Sequence, residues 1–133
     1  PIQALKEIKT KGIARLQQGN NFLIFPEGTR TPIGQVGNYA RSGADIAITA
    51  GVPIIAVAHN AGECWPHKDF TKYPGTIRVV ISEPFATEGK DRKQLTEEVK
   101  NWIEGEIAKM PPARKDGVRI LATTTELEQS ASE

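Results

Sequence analysis

The chain has 133 residues, 38% of them hydrophobic and 25% charged, with a formal net charge of +1 and a single cysteine. That length is one domain's worth, the balanced charge supplies no field to draw in nucleic acid, and one thiol excludes an internal disulfide framework and fits a reducing compartment. The longest apolar run, Ile46 to Ala58, is broken by Thr49, Gly51 and Pro53 and is shorter than the ~20 residues a spanning helix needs, and no signal peptide is visible.

Residues 1–18 read as an amphipathic helix. Ile2, Leu5, Ile8, Gly12 and Leu16 share a stripe, with Lys6, Lys9, Lys11 and Arg15 on the other faces. Pro1 suits a first turn and Gly19 the position just past the end. A basic amphipathic helix suits a membrane surface, but charged side chains more often form the solvated face of a packed helix, and that reading is preferred. Asn21 to Phe25 reads as a buried strand. It runs into the hexapeptide Phe25-Pro26-Glu27-Gly28-Thr29-Arg30, a turn at a sheet edge. Thr31 to Asn38 is a loop marked by Pro32, Gly34 and Gly37.

Ser42 or Asp45 is expected to cap a short helix that runs to Ala50 and ends at Gly51. Pro53 to His59 is a second buried strand, with Pro53 at its first position, where the missing N–H is tolerated. Asn60 to Pro74 is an irregular loop holding Trp65, Pro66, Phe70 and Tyr73; Trp65 is a loop anchor or a lipid-touching interfacial residue, the anchor being preferred. Thr76 to Ser82 is a third strand in which Ile77, Val79 and Ile81 alternate against Arg78 and Val80. Asp91 to Lys109 is a helix capped by Asp91, with Leu95, Val99, Trp102, Ile103 and Ile107 as its stripe. Pro111-Pro112 stops it. Val118 to Ala122 can pair as a short strand, and Thr123 to Glu133, polar and poor in large apolar residues, reads as a mobile tail. No internal repeat is apparent. This element order predicts an α/β fold, a small mixed sheet covered by helices.

The chemistry concentrates in the hexapeptide. Gly28 lets backbone approach a ligand. Thr29 offers a hydroxyl, and Arg30 presents a planar fork of donors that matches phosphate or carboxylate. Glu27 stands beside that base, able to hold it in one pose. Glu-Gly-Thr-Arg alone would be an ordinary turn with a surface ion pair. The whole hexapeptide, however, resembles a signature of the glycerolipid acyltransferases, the family that includes 1-acylglycerol-3-phosphate acyltransferase. Ala44 to Ala58, Asn60 to Pro66 and Gly75 to Glu83 resemble members of that family as well, so the likeness covers about residues 1–110.

The resemblance implies a partial α/β sandwich, with residues 1–110 as the C-terminal part of an acyltransferase domain and 111–133 as a polar, flexible tail. It implies acyl transfer in phospholipid biosynthesis, from acyl-CoA or acyl-carrier protein as co-substrate to the free hydroxyl of lysophosphatidate. No cofactor and no metal are expected. Phe25, Pro26, Glu27, Gly28, Thr29 and Arg30 would form the acceptor site, with Arg30 clamping its phosphate, backbone amides near Gly28 and Thr29 adding donors, and Arg41 adding charge. Ser42 stands where family members often carry a second cation. Val52 and Pro53 would shape the site or meet the acyl donor; a buried strand start explains that block as well. The implied partners are lysophosphatidate, an acyl thioester and, through a larger parent, a membrane surface on its cytoplasmic face, the fragment itself being soluble.

The family's general base, a His and an Asp separated by four residues, is absent. At that spacing His59 and His67 meet Cys64 and Lys72. The chain is therefore expected to be a fragment, inactive alone, whose missing neighbours expose a sheet edge and make it marginally stable or self-associating. Two rivals stand beside this reading: a non-catalytic phosphate- or membrane-surface-binding module, and an acyltransferase with another base such as His59. Cys64 is read as a passive thiol, and the two histidines have no further ligands at metal-binding spacing.

Overall fold

The computed structural model describes residues 2–119. The expected tail Thr123 to Glu133 lies outside them, as does most of the strand expected at Val118 to Ala122, whose described residues are not strand. The elements in order are α1 (Ile2–Gln17), α2 (Ser42–Ala50), β1 (Val57–His59), α3 (Ala61–Cys64), β2 (Val79–Ile81) and α4 (Arg92–Lys109). Helix α2 packs on both α1 and α4, and β1 packs on α4.

Helix α1 uses only part of its stripe. A Cβ on buried Gly12 would stand 3.4 Å from the Phe22 ring and 3.7 Å from Ile46, so this residue admits α2 closely. Ile2, Leu5 and Ile8 remain exposed. Lys9 ties α1 to Asp45 of α2 at 2.7 Å. Neither Ser42 nor Asp45 caps α2; Arg41 takes the N-cap without a side-chain hydrogen bond, and the Asp45 carboxylate is turned to Lys9. Gly51 ends α2 in the left-handed region at φ 68°, its N–H reaching the carbonyls of Ala47 and Ile48.

Asn21 to Phe25 is not a strand. Ladder formation needs a partner for the backbone polar groups, and the sheet among the described residues consists of β1 and β2 alone. Phe22, Leu23 and Phe25 are exposed instead. The sheet is antiparallel rather than mixed, with Val57 opposite Ile81, Ala58 opposite Val80 and His59 opposite Val79. A bridge between Ile54 and Phe85 extends it, closed by hydrogen bonds of 3.0 and 2.8 Å. The alternation of the third strand places its larger apolar residues outward: Ile77, Val79 and Ile81 are exposed, while Arg78 and Val80 are half-buried. The inner face, opposed by α4, carries Ala56 and Ala58, whose small side chains admit a helix at close range.

Asp91 caps α4 as expected, its carboxylate accepting from the Gln94 N–H at 2.8 Å. Leu95 is fully buried, and Trp102 meets Phe85 edge to face at 6.3 Å between centroids. The chain beyond α4 is not a tail from residue 111. The buried Glu63 carboxylate accepts from the Ala113 N–H at 2.5 Å and pairs with Arg119 Nε at 2.6 Å. Arg119 also donates to the Met110 and Ile107 carbonyls at the end of α4. The Thr76 and Lys115 amides bond to Ala113 and Pro74 carbonyls at 2.7 and 2.9 Å. A buried carboxylate must find partners, and finding them holds the chain in place through residue 119.

Candidate functional site

The hexapeptide is built around a β-turn. The Gly28 N–H donates to the Phe25 carbonyl at 3.0 Å, with Pro26 at the second turn position and Gly28 at the fourth, φ 70°. Proline presets the second position, and glycine occupies the left-handed one without strain. The loop beyond is drawn back by the Ala40 N–H, which donates to the Pro26 carbonyl at 2.8 Å. Since the turn takes the Gly28 amide, that group is not the free donor expected from the sequence.

Glu27 does not hold Arg30. Its carboxylate accepts from the Thr31 hydroxyl. A Cβ on Gly37 would lie 2.5 Å from Glu27 Oε2 and 2.8 Å from Thr31 Oγ1, so this pair fits only because residue 37 is glycine. Behind it, the Tyr39 hydroxyl donates to Glu104 Oε1 of α4 at 2.8 Å, and Lys100 lies 5.9 Å from the Tyr39 ring. Burial pushes the Tyr39 hydroxyl well above its ordinary range, helped by the Glu104 and Glu27 charges. Burial likewise raises the Glu104 carboxyl, the Glu27 charge adding to it against the Tyr39 hydrogen bond and the Lys100 charge. These contacts anchor the base of the turn to α4 and leave Arg30 outside the network.

Arg30 is exposed, and among the described residues its guanidinium makes no hydrogen bond or ion pair. With Trp65, Lys68, Asp69, Phe70 and Lys72 it lines an open cavity of about 500 Å³. Arg41, Val52 and Pro53 are not among these lining residues; Arg41 stands at the start of α2, and Val52 and Pro53 lead from the end of α2 into the ladder.

Lys68, Phe70 and Lys72 are not among the site residues expected from the sequence. Their alternation of cation and aromatic, Lys-Asp-Phe-Thr-Lys, is the signal that would have drawn attention to them. Lys72 Nζ lies 4.5 Å from the Trp65 ring centroid, a cation–π contact that gives Trp65 a packing role within its loop while it stays exposed. Lys68 has φ 60° in the turn closed by the Asp69 N–H on the Pro66 carbonyl at 3.4 Å. A side chain costs about 1–2 kcal/mol in that region relative to glycine. Of the remaining candidates, Cys64 is buried and unpaired. His59 is exposed, with Nδ1 accepting from the Ala61 N–H at 3.2 Å. No group of three His, Cys, Asp or Glu side chains able to hold a metal occurs among the described residues.

The family model described as Acyltransferase matches residues 2–60, a span that contains the hexapeptide. A 1-acyl-sn-glycerol-3-phosphate acyltransferase of Pseudomonas aeruginosa is 40% identical over 118 residues, covering 86% of this chain and 46% of that protein. A chloroplastic 1-acyl-sn-glycerol-3-phosphate acyltransferase of Brassica napus is 29% identical over 90 residues, covering 66% of this chain and 26% of that one. The crystal structure of the 1-acyl-sn-glycerophosphate (LPA) acyltransferase PlsC from Thermotoga maritima matches with a TM-score of 0.64 at 31% identity, over 77% of this chain and 45% of that one. The chain thus spans less than half the length of each of these relatives. The hexapeptide turn lies within the residues that match the Acyltransferase family model, and the chain is similar to 1-acyl-sn-glycerol-3-phosphate acyltransferases in sequence and in fold.

Proposed function

We propose that this chain is the acceptor-phosphate-binding part of a 1-acylglycerol-3-phosphate O-acyltransferase acting in phospholipid biosynthesis. The reaction is attack of the free hydroxyl of lysophosphatidate on the carbonyl of an acyl thioester, carried by CoA or by acyl-carrier protein. A C–O ester bond forms, the C–S bond breaks, and the hydroxyl proton ends on the departing thiol. The observation that carries this reading is the uncommitted Arg30 guanidinium on a turn whose own carboxylate is engaged elsewhere. A phosphate bears up to two negative charges, and a bidentate guanidinium supplies both charge and orientation. Fixing the phosphate fixes the hydroxyl relative to the thioester, which is where positioning lowers the barrier.

Phe25 and Pro26 serve as the apolar wall and rigid entry of the turn, Gly28 and Thr29 as its crest, and Glu27 as the strut beneath. Arg41, Val52 and Pro53 are assigned to the wider site, Arg41 as added positive charge and the other two near the acyl donor. The general base belongs to a segment outside this sequence, and the whole protein works at a membrane surface on its cytoplasmic side. No helix among the described residues is long and apolar enough to cross a membrane.

The test is Arg30→Ala in the acyltransferase that contains this chain. Losing a charge-assisted contact of about 1.5–3 kcal/mol should lower kcat/KM for lysophosphatidate about 10- to 150-fold while the KM for the acyl thioester holds. Unchanged kinetics for the acceptor would remove Arg30 from the site. A protein that binds phosphate but never transfers an acyl group, even with all its residues present, would be the binding module instead.

A further inference from the structure

The cavity beside Arg30 is more cationic than the hexapeptide alone explains. Three of its lining side chains, Arg30, Lys68 and Lys72, are basic, against one carboxylate, Asp69. That carboxylate is turned to its own loop: Oδ1 accepts from the Thr71 N–H at 2.8 Å and Oδ2 from the Tyr73 hydroxyl at 3.4 Å. None of the three cations is in an ion pair among the described residues. Lys72 makes one long contact, to the Phe70 carbonyl at 3.5 Å, and otherwise rests on Trp65. An ammonium has three donors, so it keeps donors for an incoming group.

Lys68 breaks a local rule. It sits at the third position of the Pro66–Asp69 turn with φ 60°, where glycine or asparagine is the ordinary residue. It is the one non-glycine with positive φ among the described residues. Strained residues persist where surroundings or function require them and gather at ligand clamps. Phe70, 99% exposed, and Trp65, 55% exposed, put apolar surface at the rim of the same cavity.

The geometry points to Lys68 and Lys72 as further phosphate-binding residues that complete, with Arg30, a cradle for the phosphomonoester group of a lysophospholipid whose acyl chain lies against Trp65 and Phe70. This rests on the reading of Arg30 as the acceptor clamp and extends it to a loop about 40 residues further along the chain. Ser42 lacks the second cation expected beside Arg41, and Lys68 and Lys72 supply that charge from another segment.

The intact chain can be titrated with inorganic phosphate, glycerol 3-phosphate and a short-chain lysophosphatidate below its micelle concentration. Trp65 fluorescence is the reporter, since a phosphate that draws Lys72 off the indole changes its emission; Trp65→Phe identifies that signal against Trp102. Lys68→Asn keeps a residue that tolerates the left-handed region while removing the charge. Lys72→Gln removes the second charge, and Lys72→Arg restores it. Each neutralised lysine should weaken binding of all three ligands about fivefold, and Lys72→Arg should recover most of the loss, an outcome that a purely structural role for the loop does not give. Lysophosphatidate binding at least about tenfold tighter than inorganic phosphate, with that margin lost in Phe70→Ser, assigns the cradle to the lipid. Equal affinities would show a site for phosphate of any source and overturn the lipid assignment. Wild-type binding in both lysine variants, with binding lost in Arg30→Gln, would overturn the cradle and leave the clamp intact. Wild-type binding in Arg30→Gln as well would overturn the clamp itself.

Discussion

The two faces of the β1–β2 ribbon carry opposite side chains. The inner face, against α4, holds Ala56 and Ala58, both buried, with Val80 half-covered. The outer face holds Ile55, Val57, Val79 and Ile81, larger and all exposed. Large β-branched side chains are those a sheet ordinarily hides, so here the smaller residues define the packed side and the larger ones the open side. Elsewhere Leu23 and Phe25, 78% and 73% exposed, and Ile2, Leu5 and Ile8 of α1 are likewise uncovered. The row of large apolar side chains on the outer face of the ribbon is the kind of surface that marks a contact face. Hydrophobicity along a chain therefore says which residues seek cover, while the geometry of the neighbours says which ones have it.

The comparison predicts unequal costs. Leu95→Ala, on the covered side, should destabilise the chain by about 3 kcal/mol through lost burial and a residual cavity, whereas Leu23→Ala, the same substitution on the open side, should stay within about 0.5 kcal/mol. Urea midpoints of the two variants decide the matter; equal losses would mean that the open side is covered in solution. The double variant Val79→Lys, Ile81→Lys is the next test. Charges on an exposed ribbon suppress edge and face association, so concentration-dependent sedimentation of the parent should disappear at little cost to its stability. A parent that is already monomeric at high concentration would break the link between the open face and self-association.

The smallest effect belongs to the polar network under the hexapeptide. The Glu104 carboxyl titrates higher in the folded chain than its ordinary value, chiefly through burial. A raised value means that the folded state holds that proton more tightly, so this stabilisation is full below the ordinary carboxylate range and fades as pH rises through the folded value. Glu104→Gln keeps an acceptor for the Tyr39 hydroxyl and removes the titration. Its stability should therefore fall less than the wild type's as pH rises above the ordinary carboxylate range, read as the difference in urea midpoints. An unchanged pH profile would mean that Glu104 is not the group titrating there.

Much of the local structure was legible. The helical period and Asp91 place both ends of α4 within a residue, and Gly51 places the end of α2, because caps and left-handed termini are set by neighbours a few positions away. The hexapeptide could be read as a turn for the same reason. The sidedness of β2 was not legible, since a period of two fits either face until a helix covers one. Asn21 to Phe25 has strand composition but no ladder partner among the described residues. The chain up to residue 119 reads as a tail from its prolines and charges, yet Glu63, fifty residues before Ala113, holds it down.

What the sequence determined by itself, then, was the likeness to the acyltransferases, the helices α1, α2 and α4, and the presence of a rigid turn just before Arg30, all of which rest on residues close in the chain. Only the tertiary structure decided what surrounds that arginine. It turned Glu27 to Thr31 rather than to Arg30, anchored the turn through Tyr39 to Glu104, and placed Lys68 and Lys72 on the same cavity as Arg30. The last two of these join segments tens of residues apart, and such pairings depend on how helices and loops pack rather than on any preference a residue carries alone.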